Sequence, residues 1–301
     1  MKILLTGYNG FLGSVIYKQL SKNNELFTLG KPNDSNFRID LKNTFNLDYS
    51  FDLIIHAAGK AHSTTKNYLD CLSFYNINVN GTINLLNSFQ QNNLPKYFVF
   101  ISSVSVYGLD YGLKVNEKAG LNAKDPYGMS KIFAETIVRM WCERNNVKCT
   151  IIRLPLIVGV NPPGNLGSMI QGIKKGYYFN IAGGNAKKSM VLASDIAKYI
   201  LKAAEVGGTF NLTDGFHPTF NELSKTISRN LNISFVPNMP LFIANILAKI
   251  GNLIGNAFPI NSNKLSKITS TLTFDDSKAR IAFGWNPNPV IENLKLHEDA
   301  L

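Results

Sequence analysis

Lys2-Ile3-Leu4-Leu5-Thr6-Gly7-Tyr8-Asn9-Gly10-Phe11-Leu12-Gly13 stands at the start of the chain. Residues 2–5 are short, apolar and branched, the pattern of a buried strand, and the glycine turn after them runs into Val15, Ile16 and Leu20 at helical spacing. Strand, glycine turn and helix start in that order make a cradle for a pyrophosphate. Gly7 permits the tight turn, Gly10 lets backbone N–H groups approach the anion, and Gly13 lets the helix pack closely on the strand. The helix N-terminus adds partial positive charge. The spacing is G-x-x-G-x-x-G, not the G-x-G-x-x-G of ordinary dinucleotide dehydrogenases.

Working outward, residues 26–29, 53–56, 97–102 and 149–154 read as further buried strands, with segments between them long enough for crossover helices. That rhythm predicts an α/β fold: a doubly wound, parallel, Rossmann-type sheet with helices on both faces. After Val158 the pattern changes. Asn161-Pro162-Pro163-Gly164 reads as a loop, helical and loop segments then mix, and residues 209–212 form one more strand candidate. The expected division is a dinucleotide-binding domain over 1–160, rejoined by 190–213. A smaller mixed α/β substrate region is expected mainly over 161–189 and 214–301.

Composition narrows the classes. The chain has 301 residues, 45% of them hydrophobic and 17% charged, too apolar for disorder and long enough for a large core. Its net charge of +11 comes from lysines scattered as singles and pairs, without the basic run or Arg-rich helix that tracks nucleic acid. Three cysteines, Cys71, Cys142 and Cys149, with no C-x-x-C pair, argue against a disulfide framework and a cysteine-ligated metal, and for a reducing, cytoplasmic setting. The N-terminus lacks the long apolar run of a secretory signal. Residues 239–260 are apolar but too interrupted to span a bilayer, and the helical face of Phe242, Ile243, Ile246, Leu247, Ile250, Leu253 and Ile254 is expected to pack within the protein or against a partner subunit rather than on a membrane.

A second constellation lies downstream. Asp125-Pro126-Tyr127-Gly128-Met129-Ser130-Lys131 joins a helix-start signal to a Tyr/Lys pair four residues apart, which one helix face would carry. An ammonium beside a phenol favours the phenolate and suits it to proton transfer. Upstream, residues 97–102 lead into Ser103, a hydroxyl at the strand end where parallel sheets bind ligands. The strand at 26–29 ends in Gly30-Lys31, a cation where a ribose-binding acid often stands, and so leans towards NADP(H) over NAD(H).

These segments, with His56-Ala57-Ala58-Gly59, Asn78-Val79-Asn80-Gly81-Thr82 and Val106-Tyr107-Gly108, resemble in order the extended short-chain dehydrogenase/reductases of the nucleotide-sugar epimerase, dehydratase and reductase branch. The likeness continues through Arg153-Leu154-Pro155-Leu156-Ile157-Val158-Gly159, Gly164-Asn165-Leu166, residues 189–195 and Phe274-Asp275-Asp276-Ser277-Lys278-Ala279-Arg280, to Gly284-Trp285. It implies Ser103, Tyr127 and Lys131 as the catalytic set. It implies a bound NAD(P) held by Gly7, Asn9, Gly10, Phe11, Leu12, Gly13, Lys31, Asp40, Ala57, Ala58, Gly59, Lys60, Asn78, Tyr127, Lys131 and Pro155, and a nucleotide-sugar substrate met by Ser103, Asn165, Leu166 and Lys188. His56 is expected to pack at its strand end. No metal is expected.

The resemblance further implies a homodimer making surface-polysaccharide precursors. Where dehydratase members carry Thr-Asp-Glu, this chain has Ser103-Val104-Ser105, which argues against elimination of water. Lys188 stands where relatives often place an Arg, and offers a point charge in place of a bidentate fork. The implied activity is hydride transfer at C4 of a UDP- or dTDP-linked sugar, as 4-epimerase or 4-ketoreductase, leaning to the reductase. A non-catalytic dinucleotide sensor or scaffold is the alternative, and it sits poorly with an intact Ser103, Tyr127 and Lys131.

Overall fold

A computed structural model describes residues 1–61, 68–255 and 260–296. Its strands are β1 (Lys2–Thr6), β2 (Glu25–Gly30), β3 (Phe37–Arg38), β4 (Leu53–His56), β5 (Tyr97–Ser103), β6 (Gly112–Val115), β7 (Lys148–Leu154), β8 (Leu156–Val158), β9 (Asn180–Ile181), β10 (Met190–Leu192), β11 (Gly208–Asn211), β12 (Asn238–Met239) and β13 (Leu272–Phe274). Seven of them form one sheet in the order β11-β7-β5-β4-β1-β2-β3, every pair parallel. The doubly wound parallel sheet expected from the sequence is therefore present, and the order reverses beside β1, where the glycine turn emerges. β3 is the strand of this sheet that the sequence did not disclose, since two residues carry no periodicity.

The helices are α1 (Phe11–Leu20), α2 (Tyr68–Phe74), α3 (Gly81–Asn87), α4 (Pro126–Arg144), α5 (Gly164–Lys174), α6 (Ala193–Val206), α7 (Phe220–Asn230), α8 (Leu241–Ile254), α9 (Ser262–Thr269), α10 (Ser277–Phe283) and α11 (Val290–Asn293). Alternation along the strands divides the core between the two faces of the sheet. Ile3, Leu5, Ile55, Val99 and Ile152 pack with α1 and α6, whereas Leu4, Ile54, Phe98, Phe100 and Ile151 pack with α3 and α4. Each such fully buried side chain contributes roughly 1.5–3 kcal/mol of transfer free energy. Both faces being covered is why these strands read as unbroken apolar runs.

A smaller core joins α5, α7, α11, β8 and β10 through Leu166, Met169, Leu223, Val290, Val158 and Met190. Phe283 and Trp285, within the stretch assigned mainly to the substrate side, lie instead in the core under α1 and α6. The Trp285 indole N–H donates to the Thr213 carbonyl at 2.9 Å, closing the chain back onto the end of β11. The three cysteines are free thiols. Among the described residues no helix is long and apolar enough to cross a membrane, and no His, Cys, Asp or Glu cluster has the makings of a metal site.

Candidate active site

The glycine turn has the geometry its sequence called for. Gly7 adopts φ +73°, and a Cβ there would lie 2.6 Å from the Ala58 nitrogen. A Cβ on Gly13 would lie 1.9 Å from the Gly7 carbonyl oxygen, so glycine is what lets α1 approach β1. Gly10 is less confined: its Cβ would meet only that same oxygen, at 3.2 Å. Helix α1 starts after Gly10 with no side-chain cap and no acid in its first turn, leaving its first N–H groups and positive end for an anion. Asn9 and Gly10 are exposed, and Phe11 leans towards Gly159, just beyond Pro155 and β8. Leu12 is buried in the core, so only its main chain faces the cradle.

At the end of β2 the sequence reading needs adjustment. Lys31 is ion-paired with Asp40 at 2.9 Å, so the cation proposed for a 2′-phosphate and the acid proposed for adenine meet each other. Burial works against ionising Asp40, but the hydrogen bonds from Lys31 and the Lys42 N–H hold its carboxyl below the usual range. A second acid stands here: Asp34 accepts a 2.5 Å hydrogen bond from the Tyr8 hydroxyl. The β2–β3 turn is thus not the uncompensated cationic site that Gly30-Lys31 suggested, because its acids lie four and ten residues past the strand end.

Between β1 and β4 a proton-ordered chain fixes the strand ends. Thr82 donates to the Asn78 carbonyl at 2.6 Å, so its oxygen accepts from His56 Nε2 at 2.9 Å. His56 Nδ1 then accepts from the Thr6 hydroxyl at 2.7 Å, while that oxygen accepts from the Ala58 N–H at 3.1 Å. Burial, with Lys131 nearby, pushes the imidazole down to about 3, and it is neutral. His56 is the strand-end residue expected of it.

Asn78 projects from a π-helical turn, Tyr75–Asn80, and grips the main chain after β4. Its Oδ1 accepts from the Lys60 N–H at 2.7 Å, and its Nδ2 donates to the Lys60 carbonyl at 3.1 Å and to Ser130 Oγ at 2.9 Å. The Ala57-Ala58-Gly59 turn is thereby tied to α4. Lys60 itself turns its ammonium to Ser73 and over the Phe74 ring.

Helix α4 begins as the sequence requires, with Asp125 accepting from the Gly128 N–H at 3.0 Å and Pro126 in the first turn. Tyr127 and Lys131 therefore share one face. Ser103 ends β5 and shares a hydrogen bond with the Tyr127 hydroxyl, while the Phe74 ring meets the Tyr127 ring edge-on at 5.9 Å. Ser103 also donates to Ser105 Oγ at 3.1 Å, in the short 3-10 turn Val104–Tyr107.

The expected lowering of the phenol is absent in this arrangement. Burial pushes Tyr127 above its ordinary value, the bond to Ser103 offsets only part of that, and the Asp125 charge adds to the rise. The reason is where Lys131 points: its Nζ donates to the Ile101 carbonyl at 2.9 Å and sits 4.8 Å from the Phe100 ring centroid. Burial brings Lys131 down to about 8, with Glu135 one helical turn on opposing that shift.

Glu135 is the residue that sequence reasoning missed. It is 1% exposed and accepts from Arg153 Nε at 3.0 Å, Arg153 Nη2 at 2.7 Å, Arg139 Nη2 at 2.9 Å and Ser102 Oγ at 2.6 Å. Arg153 continues to the Tyr107 hydroxyl at 3.1 Å, which donates to Asn211 Oδ1 at 2.7 Å. This network bolts α4 to β5, β7 and β11 directly behind the Tyr/Lys face. A carboxylate four residues after Lys131 was its only trace in the sequence.

The substrate-side residues are less gathered. Asn165 is exposed in the first turn of α5, but the Leu166 side chain is buried in the smaller core and offers only main chain. Lys188 is half-buried beside Leu272, and burial lowers its ammonium to about 8, with Asp110 raising it and Lys267 of α9 lowering it further.

Residues 3–212 match the model of the family described as NAD dependent epimerase/dehydratase. The chain belongs to that family. One relative, an N-acetyl-α-D-glucosaminyl-diphospho-ditrans,octacis-undecaprenol 4-epimerase of Escherichia coli O157:H7, is 28% identical over 92% of this chain and 88% of its own length. Among solved structures, the UDP-glucose 4-epimerase of Thermotoga maritima with UDP-glucose superposes with a TM-score of 0.76 at 20% identity, covering 98% and 97% of the two chains. RMD of Pseudomonas aeruginosa complexed with NADPH gives 0.75 at 18%, covering 97% and 96%. These two likenesses show the epimerase/dehydratase fold over essentially the whole chain.

Proposed function

We propose that this protein is an NAD-dependent 4-epimerase of a sugar carried on a diphosphate. The observation that carries the reading is the meeting of Ser103, Tyr127 and Lys131, from one strand end and one helix face, beside the uncapped helix of the glycine turn. The cradle fits a nicotinamide dinucleotide: the main chain of Gly7, Asn9, Gly10, Phe11, Leu12 and Gly13 would hold its pyrophosphate. Ala57, Ala58, Gly59 and Pro155 would flank it, held in place by Asn78. Lys131 would reach its ribose, and the Lys31–Asp40 pair would lie at the adenosine end. When bound in its oxidised form, the cofactor supplies a positive charge and takes up and returns a hydride at C4.

Tyr127, once its own proton has left to solvent and it stands as the phenolate, would receive the C4 hydroxyl proton during oxidation and give it back to the ketone oxygen during reduction. Ser103 holds that same oxygen, and Lys131 leaves the Ile101 carbonyl to stabilise the phenolate. Lys188 and Asn165 would meet the substrate diphosphate, whose other side is either a nucleoside or a polyprenol. The same reading places the enzyme in the cytoplasm as a homodimer that makes surface-polysaccharide precursors. Pairing of Lys31 with Asp40 supports NAD over NADP.

Ketoreduction of a 4-keto sugar is the second reading. It is favoured by the protonated, upward-shifted Tyr127, which is set to donate to a ketone. Native mass spectrometry followed by analysis of released dinucleotide separates the two. Retained NAD(H), with interconversion of the C4 epimers of a UDP-sugar or of a polyprenyl-diphosphate sugar and no added cofactor, is the expected result. An empty protein that turns over 4-keto sugars only with added NADPH makes it the reductase. Dinucleotide binding with neither reaction overturns both in favour of a sensor or scaffold.

A further inference from the structure

Helix α8 is apolar on nearly all sides, with Lys249 its single charged residue, yet the described residues cover only one side. Ala244, Ala248 and Gly251 form its buried stripe, packed on α9 and on Ile181 and Met239 of the β9/β12 pair. At 3.6 residues per turn, Phe242, Ile246 and Leu253 fall diametrically opposite that stripe. They are 65%, 56% and 89% exposed. Packing of this face within the protein, one of the two covers the sequence suggested, is therefore not what the described residues provide. Small residues inside and large apolar residues outside invert the usual surface helix.

The stretch of chain that carries α8 is cationic. Between Glu222 and Asp275 the chain has no Asp or Glu, while Lys225, Arg229, Lys249, Lys264 and Lys267 fall in that span. The α8–α9 unit also adjoins the substrate side, since α9 leads straight into β13, whose Leu272 bridges to Lys188.

We propose that α8 is a membrane-surface helix, its outer face seated in the headgroup–acyl boundary of an anionic bilayer. Resting on the diphosphate-sugar reading above, this names the carrier: a lipid whose sugar diphosphate is presented at the bilayer surface next to Lys188. Buried apolar area and attraction to anionic lipid act together in such helices, and neither requires a spanning segment.

The test is co-flotation of the full-length protein with vesicles of phosphatidylglycerol and phosphatidylethanolamine, against vesicles of phosphatidylcholine alone. The protein is expected to float with the anionic vesicles at low salt, and a Phe242→Ser/Leu253→Ser double variant to lose at least about tenfold of that binding. Its thermal midpoint should stay at the native value, since neither side chain is buried. Failure to float overturns the proposal. So does a stable native dimer that the same double variant dissociates, because a second copy then covers the face. C4 epimerisation of a polyprenyl-diphosphate sugar dispersed in detergent, with no vesicles present, is measured alongside. Its loss with flotation intact refutes the proposed activity and leaves the membrane surface standing, while the reverse outcome refutes only the membrane surface.

Discussion

The Lys131 ammonium donates to the Ile101 carbonyl at 2.9 Å, two residues before Ser103 on the same strand. The helix that carries Tyr127 is thus registered directly on the strand that carries Ser103, and the buried hydrogen bond from Ser102 to Glu135 one turn behind repeats the connection. The relative placement of the three catalytic candidates follows from these two buried attachments, not from the surface of α4.

Tyr127→Phe removes the only part of that set able to exchange the substrate proton. Turnover should fall by roughly 10²–10⁴-fold, the usual contribution of a positioned acid–base group. Dinucleotide affinity, read by fluorescence titration, should hold, because the ring and its contact with Phe74 remain. Undiminished turnover would remove Tyr127 from the mechanism.

His56 makes acid stability predictable. Its imidazole is neutral in the fold and lowered from 6.5 to about 3, so between those values the unfolded chain binds a proton that the folded chain refuses. Stability is therefore lost as pH falls through that window, by about 1.4 kcal/mol per unit at the steepest. Denaturant midpoints of the wild type and His56→Asn, measured from pH 7 down to the acid limit, should converge. Parallel curves would mean that His56 is protonated in place.

Lys131 has the corresponding signature at alkaline pH. Lowered from 10.5 to about 8, it binds fewer protons folded than unfolded between those values, so stability rises across that interval and is flat below it. Relative to Lys131→Met, the wild type should gain stability above pH 8. Other tyrosines and lysines titrate in both proteins and cancel in the difference.

In the glycine turn, Gly13→Ala should destabilise the fold by about 1–3 kcal/mol or more, since its Cβ would stand 1.9 Å from a main-chain oxygen. Gly10→Ala, with its nearest contact at 3.2 Å, should fold near normally and be impaired chiefly in dinucleotide binding. Urea melts beside binding titrations distinguish the two; equal loss of stability would refute the assignment of separate roles.

Asp40→Asn should release Lys31 and move the cofactor preference towards NADP(H). An exposed ion pair contributes little to stability, so the melting point should hardly change. The readout is the ratio of dissociation constants for NADH and NADPH. An unchanged ratio would show that the β2–β3 turn does not choose between them.

The sequence by itself determined the parallel sheet, the glycine cradle and the Tyr127/Lys131 face. Each of these is local: a buried strand is a short apolar run, a close approach demands glycine at a fixed spacing, and four residues are about one helical turn. Tertiary structure alone decided how the charges are spent. Lys31 meets Asp40 because a loop folds back, Lys131 turns to Ile101 because β5 passes beneath α4, and Glu135 finds Arg153 on a strand 18 residues away. It also decided that Ala244 and Ala248 face inward while Phe242 and Leu253 face out, since periodicity marks an apolar helix without saying which side another element will cover.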